Sequence, residues 1–272
     1  MKYQNSGEKK LLSLITVCLN SEKTIERTLK SVKQEIDAID AWESVEYIVV
    51  DGNSLDGTLK VIKANMKTVS KFISEPDGGI FSAMNKGWRL ASGEFIMYLN
   101  SDDYIAAGAL KSIIDTARFA KKQKYEIFTG NTLLFSDNDK KSGDKLGLIN
   151  YGLKHLSRHN PIAHPSTVVS LNLIKANDGF NENIKISSDY DFFVRVLKNE
   201  NLEVLASNRQ WTFMEMNGAS NQYKSYDIFF KIERELFCIQ LMHYGLRRAI
   251  VSIIYRFISH FKYFTCNLFN VL

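Results

Sequence analysis

The first hundred residues alternate short apolar runs with amphipathic segments, and this alternation constrains the fold more than any other feature. Apolar runs at residues 11–19, 45–50, 71–74 and 94–99 have the length and composition of buried strands. Residues 21–36, 58–66 and 80–90, which lie between them, place apolar side chains at helical spacing. The resulting β-α-β-α-β-α-β order predicts a mostly parallel sheet with right-handed crossovers and helices on its faces.

Polar residues follow each of these strands. Asn20, Asp51 and Asp77 come after the first three, and Asn100, Ser101, Asp102 and Asp103 come after the fourth. Turn chemistry would explain any one of them. Together they predict a binding site, because ligands of open α/β sheets bind outside the carboxyl ends of the strands.

The usual phosphate-binding loops of nucleotide enzymes are missing. The first strand is not followed by a G-x-G-x-x-G pattern, and the chain contains no G-x-x-x-x-G-K-[ST]. These absences argue against a dinucleotide dehydrogenase and a P-loop NTPase. A divalent cation held by Asp102 and Asp103 could bind a diphosphate instead, and oxygen ligands suit Mg²⁺ or Mn²⁺.

Composition indicates a globular intracellular protein. The chain has 272 residues, of which 45% are hydrophobic and 24% are charged, and this is ordinary for one large domain or two small ones. Its three cysteines, Cys18, Cys238 and Cys266, are too far apart for a zinc motif or a disulfide framework. The polar N-terminus lacks the apolar run of a signal peptide, and no transmembrane stretch is predicted. We therefore expect a cytoplasmic protein.

The C-terminal tail differs in charge from the rest of the chain. After Glu235 there are four basic residues and no acidic one, although the net charge of the whole chain is only +5. Residues 225–244 predict an amphipathic helix that packs on the domain. Residues 247–264 place apolar side chains between Arg256, His260 and Lys262, a pattern that fits an interfacial helix on an anionic membrane surface. A helix buried in a dimer or on the core is the open alternative.

The order and spacing of nine short motifs resemble glycosyltransferase family 2, especially the bacterial branch that builds exopolysaccharide and lipopolysaccharide glycans. The resemblance covers roughly residues 11–225. The motifs are ITVCLN at 15–20, VDGNSLDGT at 50–58, SEPDGG at 74–79, AMNKG at 83–87, LNSDD at 99–103, HPS at 164–166, GF at 179–180, SDYDFFVR at 188–195 and NGAS at 217–220.

The resemblance implies a GT-A fold, which is an α/β, Rossmann-like, mostly parallel sheet flanked by helices, here with a C-terminal helical extension. Residues 1–107 would form the nucleotide-sugar-binding half, 108–223 the acceptor-binding half and 224–272 the amphipathic tail. The implied activity is an inverting transfer of a sugar from a nucleoside diphosphate sugar, with UDP favoured, to a hydroxyl of a glycan or lipid-linked acceptor in bacterial surface polysaccharide synthesis. Two alternatives are an inactive sugar-nucleotide-binding or assembly protein and a sugar nucleotidyltransferase. An enzyme with a lipid-linked acceptor would act peripherally on the inner membrane.

Site residues also follow from the resemblance. Asp103 would be the ligand of Mn²⁺ or Mg²⁺, and Asp189 the catalytic base. Asp191 stays open as the base, because Ser188 stands where the family commonly has Glu; Asn100 likewise replaces a usual Asp. His164 is expected to be structural, with metal or diphosphate contact as the lesser alternative. The residues implied to bind the nucleotide sugar are Thr16, Asn20, Asp51, Asp77, Asn85, Lys86 and Asp102.

The residues themselves offer a structural alternative for Asp189. It precedes the helical pattern of residues 190–198, and Asp is a favoured N-cap residue. A residue at a helix start can cap the helix and also act as a base, so both roles are expected here.

Overall fold

The computed structural model describes residues 9–136, 145–146, 156–157, 160–198, 202–216 and 226–269. Its strands are β1 (Leu12–Cys18), β2 (Val45–Asp51), β3 (Lys71–Ser74), β4 (Phe95–Tyr98), β5 (Tyr104–Ile105), β6 (Ile127–Phe135), β7 (Lys145–Leu146), β8 (Thr167–Ser170) and β9 (Val204–Glu215). Its helices are α1 (Ile25–Ala38), α2 (Thr58–Ala64), α3 (Ile80–Leu90), α4 (Ala109–Gln123), α5 (Leu171–Ala176), α6 (Ser188–Leu197), α7 (Tyr226–Tyr244) and α8 (Leu246–Phe269).

The first half of the sheet is parallel. Strand β1 pairs with β2 on one side and β4 on the other, and β3 pairs with β2, all in parallel register. Every residue of β1 and β2 is buried, as expected for parallel strands covered on both faces. The four strands and three helices predicted for this half are confirmed.

The second half is mixed, so the expectation of a mostly parallel sheet holds only for β1 to β4. The described strands run in the order β3-β2-β1-β4-β8-β6-β9-β5, with β7 on β6. Strand β8 is antiparallel to both β4 and β6, whereas β6 and β9 are parallel. One α/β sheet therefore runs through both predicted halves.

Two apolar layers cover the sheet. Helices α1, α2 and α4 pack on one face around Leu29, Ile62 and Ile113. Helices α3, α5 and α6 pack on the other face, where Ile239 of α7 joins them. The prediction that a helix near residues 225–244 packs on the domain is thus confirmed.

Helix α8 folds back on α7 and packs against it through a face that includes small and polar side chains. The residues it buries include Ala249, Ser252 and Arg256. Arg256 forms an ion pair with Glu233 of α7 at 2.9 Å, so this arginine faces inward and does not contribute a cation to the outer surface. No helix in the described ranges is long and apolar enough to cross a bilayer.

Gly130 on β6 tests the packing of the second half. A Cβ at this position would lie 2.3 Å from the ring of Trp211, which is fully buried. We expect Gly130→Ala to lower the free energy of unfolding by about 1–3 kcal/mol, measured by urea denaturation. Gly78→Ala is the matched control, since its nearest atoms would lie at 3.6 Å. Equal stability of the two variants would contradict this packing.

Candidate active site

A pocket of about 340 Å³ lies at the carboxyl ends of β1 and β4. It brings together residues from the loops after β1, β3 and β4 and from the end of β9. The side chains include Asp77, Asp102, Asp103 and Glu215. The strand-end argument from the sequence therefore places three of the expected carboxylates at one rim, and β9 supplies a fourth.

Asp103 anchors this pocket from within. It is 1% exposed, and its two carboxylate oxygens accept hydrogen bonds from the backbone N–H of Glu215 at 3.0 Å and the side-chain amide of Asn100 at 3.2 Å. Burial, with the neighbouring Asp102 charge as a second cause, raises the pKa of Asp103 well above its usual value. The hydrogen bond from Glu215 therefore holds the loop after β4 against the last residue of β9.

Asp102 presents its carboxylate to the pocket. Among the described hydrogen bonds, none joins this carboxylate to another residue, and the side chain is half-buried. Burial raises the pKa of Asp102, the Glu215 charge raises it further, and Arg27 opposes the shift. Arg27 on α1 donates a hydrogen bond to the backbone carbonyl of Asp102 at 2.7 Å, so the loop is held by its backbone while the carboxylate stays available.

The residues present suit a divalent cation at Asp102. Carboxylate and amide oxygens are the ligands that Mg²⁺ prefers, and the buried side-chain oxygen of Asn100 accepts no hydrogen bond within the described residues. The described part holds no group of three or more His, Cys, Asp or Glu residues arranged for a metal. Magnesium is commonly bound by one or two carboxylates together with substrate phosphates and water, so this donor set fits.

Asp77 borders the pocket on the side of β3. One carboxylate oxygen accepts a hydrogen bond from the Gly79 N–H at 2.8 Å. The other oxygen would lie only 2.6 Å from a Cβ at position 52. Glycine at position 52 therefore leaves room for the Asp77 carboxylate. Lys86 pairs with Glu75 at 2.9 Å and donates to the Pro76 carbonyl. Lys86 therefore braces the Asp77 loop, and its contact with the donor stays a prediction.

Three further residues expected to touch the donor build the scaffold. Thr16 is fully buried and bonds the Tyr47 hydroxyl at 2.9 Å. Asp51 is also fully buried, and its carboxylate accepts hydrogen bonds from the backbone N–H of residues 53 and 54 and from the hydroxyls of residues 54 and 74. Asn20 accepts a hydrogen bond from the Leu55 N–H. These groups organise the loops behind the pocket, and their contact with the donor stays a prediction.

The side-chain amide of Asn85 is hydrogen-bonded within the protein. Its amide nitrogen donates to the Phe180 carbonyl and to Glu182, and its oxygen accepts from the Phe180 N–H and the Trp88 indole. Three of these bonds join α3 to the segment after α5, and the bond from Trp88 lies within α3. The structure therefore gives Asn85 a role in joining these two segments, and its contact with the donor stays a prediction.

The geometry separates Asp189 from Asp191. Asp191 is 2% exposed, forms an ion pair with Arg195 and shares a hydrogen bond with the His243 ring, each at 2.9 Å. Asp189 accepts a hydrogen bond from the uncharged side-chain amide of Asn160 at 3.1 Å, and burial raises its pKa to about 6. Two protein partners thus hold Asp191, whereas Asp189 can take up and release a proton near neutral pH, and this difference favours Asp189 as the base.

Asp189 lies inside α6, because the helix begins at Ser188 after an N-cap at Ser187. The N-cap role expected for Asp189 is therefore wrong. The segment before α6 reaches the pocket rim, where the Lys185 ammonium donates to the Gly78 carbonyl at 3.1 Å. This contact attaches the Asp189 segment to the loop that carries Asp77.

His164 packs among aromatic rings. Its ring stacks on Tyr98 with centroids 5.5 Å apart and meets Phe180 edge-on. Burial lowers the pKa of His164 to about 4, so it is neutral at physiological pH. These contacts agree with the structural interpretation of His164. The motif at residues 217–220 lies outside the described residues.

Sequence reasoning missed Glu215, Arg27 and Asn160. Glu215 ends strand β9, so the strand-end rule used for the first four strands would have found it if that strand had been recognised. Arg27 on α1 contacts the backbone of Asp102, 75 residues later in the chain, and Asn160 contacts Asp189, 29 residues later. The sequence around Arg27 and Asn160 does not indicate either contact.

Comparisons with known proteins agree with this geometry. The model described as "Glycosyl transferase family 2" matches residues 13–163. The poly(ribitol-phosphate) beta-N-acetylglucosaminyltransferase TarS of Staphylococcus aureus is 26% identical over 275 residues, which cover 95% of this chain and 46% of TarS. A chondroitin synthase of Pasteurella multocida is 28% identical over 194 residues, which cover 68% of this chain and 19% of the synthase. This chain thus spans less than half of either relative.

Solved structures share the fold. The crystal structure of S. aureus TarS 1-349 in complex with UDP-GlcNAc superposes with a TM-score of 0.63 at 20% identity, covering 92% of this chain and 73% of that one. The mannosyltransferase PcManGT from Pyrobaculum calidifontis, in complex with GDP-Man and Mn²⁺, has a TM-score of 0.60 at 13% identity, covering 85% and 63%. The expected GT-A fold is confirmed.

Substituting the two aspartates of α6 separates their roles by stability alone. Asp191→Asn removes the carboxylate that Arg195 and His243 contact, and we expect it to lower the free energy of unfolding at pH 7 by about 1.5–3 kcal/mol.

The pKa of Asp189 is raised from 3.8 to about 6, so the folded state binds more protons within this window and its stability falls as pH rises through it. Asp189→Asn is therefore more stable than wild type at pH 7.

Urea denaturation at pH 7 and below pH 3.8 measures both effects. The advantage of Asp189→Asn disappears at the lower pH, because Asp189 is then protonated in both states. A loss of stability in Asp189→Asn at pH 7 would contradict its assignment as a buried carboxylate without a charged partner.

Proposed function

Because the chain belongs to glycosyltransferase family 2, we propose that its pocket binds the diphosphate of a UDP-sugar and that the sugar passes to an acceptor hydroxyl with inversion. The chain is a glycosyltransferase, which disfavours the nonenzymatic and nucleotidyltransferase alternatives. The observation that carries the proposal is the pocket at the carboxyl ends of β1 and β4, into which Asp102 presents an uncommitted carboxylate. The TarS complex with UDP-GlcNAc supports UDP as the nucleotide.

We propose Asp102 as the metal-binding residue, and Asp103 is the second candidate. The resemblance implies Asp103 as the metal ligand and Asp102 as a contact of the donor, but Asp103 already accepts two hydrogen bonds from the protein. Enzymes of this fold generally use divalent metals, and PcManGT was solved with Mn²⁺. When bound, Mn²⁺ or Mg²⁺ would stabilise the negative charge of the departing diphosphate as a Lewis acid. Asp77 and the pocket backbone would orient the rest of the donor.

Asp189 is the proposed general base. An inverting transfer requires a carboxylate that removes the proton of the acceptor hydroxyl while the oxygen attacks opposite the leaving group. A base with a pKa of about 6 is mostly deprotonated at pH 7 and still basic enough to accept a proton. Asn160 orients the carboxylate without adding charge, which leaves its pKa set mainly by burial.

The acceptor we propose is a glycan or a lipid-linked saccharide of bacterial surface polysaccharide synthesis. The relatives include a poly(ribitol-phosphate) glycosyltransferase and a chondroitin synthase, both of which are named for polymeric acceptors or products. An enzyme that extends a lipid-linked glycan gains from being held at the membrane.

The α7–α8 hairpin supports such attachment. The face of α8 turned away from α7 is apolar, while the face that packs on α7 carries Ala249, Ser252 and Arg256. This distribution is the reverse of that in a helix that packs on a core and faces water. We call the exposed surface of the two helices the outer face of the hairpin, and its large apolar side chains are Phe230, Leu241, Met242, Leu246, Ile250, Val251, Ile254, Tyr255 and Ile258.

Charge selects an anionic bilayer as the occupant of this outer face. Lys231, Arg234, Arg247 and Arg248 are exposed on the hairpin, and no acidic residue follows Glu235. Each such cation near an anionic leaflet contributes about 1 kcal/mol. A second copy of the same face would bring these cations together, so we propose peripheral binding to a membrane over dimerisation.

The donor site is tested by isothermal titration of UDP, GDP, CDP and ADP with and without Mn²⁺. We expect UDP to bind most tightly, and to bind at least about tenfold more weakly without the metal, since a cation held by Asp102 would offset the repulsion between the carboxylate and the diphosphate. Asp102→Asn should abolish the effect of Mn²⁺. Asp115→Asn, an exposed carboxylate on α4, is the control with the same charge change. Metal-independent binding of UDP to wild type would overturn the metal assignment, and no binding by folded protein would overturn the donor site.

The outer face is tested by co-sedimentation with vesicles of phosphatidylcholine, with and without phosphatidylglycerol. We expect binding only to the anionic vesicles, weakening as salt is raised, and lost in the double variant Arg247→Glu/Arg248→Glu. Lys60→Glu/Lys63→Glu makes the same charge change on α2 and should bind like wild type. Dimerisation in analytical ultracentrifugation without vesicle binding would identify the face as a contact between copies.

A further inference from the structure

Glu235 on α7 holds the backbone just before the base-carrying helix. One of its carboxylate oxygens accepts a hydrogen bond from the Lys185 N–H at 2.8 Å, and the other accepts from the Ile186 and Ser187 N–H groups at 3.0 and 2.9 Å. Three consecutive amides converge on one carboxylate that comes from about 50 residues later. Such charge-assisted bonds are about twice as strong as neutral ones.

The same face of α7 makes two more polar contacts with α6. The Gln240 amide donates to the Tyr190 hydroxyl, which in turn donates to the Leu156 carbonyl. His243 pairs with Asp191. The three α7 residues span an arc of about 140° around the helix, and this arc faces α6 and the segment before it. They contact the segments immediately before and after Asp189.

We propose that Glu235 is a positioning residue for the transferase reaction, fixing the 185–187 backbone so that Asp189 meets the acceptor hydroxyl. This inference rests on the proposed role of Asp189 as the base. The segment from Lys185 to Ser187 connects the pocket rim with α6. At one end the Lys185 ammonium donates to the Gly78 carbonyl, and at the other end Ser187 directly precedes the helix. Glu235 therefore sets the distance between the donor loop and the base. A displacement of about 1 Å can lower a rate by about 100-fold.

The test measures kcat and KM for release of UDP from UDP-GlcNAc, with water as the acceptor, together with the Kd for UDP. We expect Glu235→Gln to lower kcat by about tenfold or more, since an amide cannot accept three N–H bonds as a carboxylate does, while the UDP Kd changes less than about twofold. Glu235→Asp keeps the charge but shortens the reach, and should fall between wild type and Glu235→Gln. It also serves if Glu235→Gln does not fold.

Glu233→Gln is the matched control. Glu233 is a buried carboxylate on the same helix that pairs with Arg256 of α8 and not with the base segment, so its loss should reduce stability without reducing kcat. An equal fall in kcat for Glu233→Gln and Glu235→Gln would show a general structural effect and overturn the inference.

Asp189→Asn separates this inference from the proposed function. We expect it to lower kcat by about 100-fold or more. If Asp189→Asn keeps its kcat, the assigned base is wrong and the role of Glu235 falls with it. If Asp189→Asn loses kcat and Glu235→Gln does not, the base stands and only the positioning role fails.

Discussion

The hydrogen bond between the Asp103 carboxylate and the Glu215 N–H joins the two halves of the site. Asp103 belongs to the loop that ends the parallel half of the sheet, and Glu215 ends β9 in the mixed half. A buried carboxylate without such donors would be costly, so the loop after β4 and the end of β9 are kept in one arrangement. That arrangement turns Asp102 toward the pocket. The most buried acid of the motif thus makes its neighbour available for ligand binding.

Helix α7 connects catalysis with the surface of the molecule. Its inner face holds the segment around Asp189 through Glu235, Gln240 and His243, and its outer side continues into the exposed apolar face of the hairpin. If the proposed function holds, the hairpin binds a membrane through its outer face while the inner side of α7 positions the proposed base, and α7 then couples the two. Deleting the tail would in that case affect the reaction centre as well as attachment.

The parallel half and its rim could be predicted from the sequence because their signals are local. Apolar runs and helical periodicity place β1 to β4, and the strand-end rule places Asp77 and Asp102 at the pocket. The protein contacts of Thr16 and Asn85 could not be predicted from the sequence, because their partners Tyr47 and Phe180 are distant in the chain. A motif shows which residues are adjacent along the chain, but it does not show which way each side chain points.

The choice between Asp189 and Asp191 shows what the sequence withholds. Both carboxylates lie on α6 in the same motif, where Arg195, four positions after Asp191, gives that aspartate a charged partner. Their environments also differ through residues far away in the chain, since His243 contacts Asp191 and Asn160 contacts Asp189. The charged partner favours a structural role for Asp191, whereas a neutral partner together with burial favours Asp189 as the proposed base. The different roles proposed for the two aspartates therefore depend also on contacts with the tail and with the segment before β8. These contacts form only when the chain is folded.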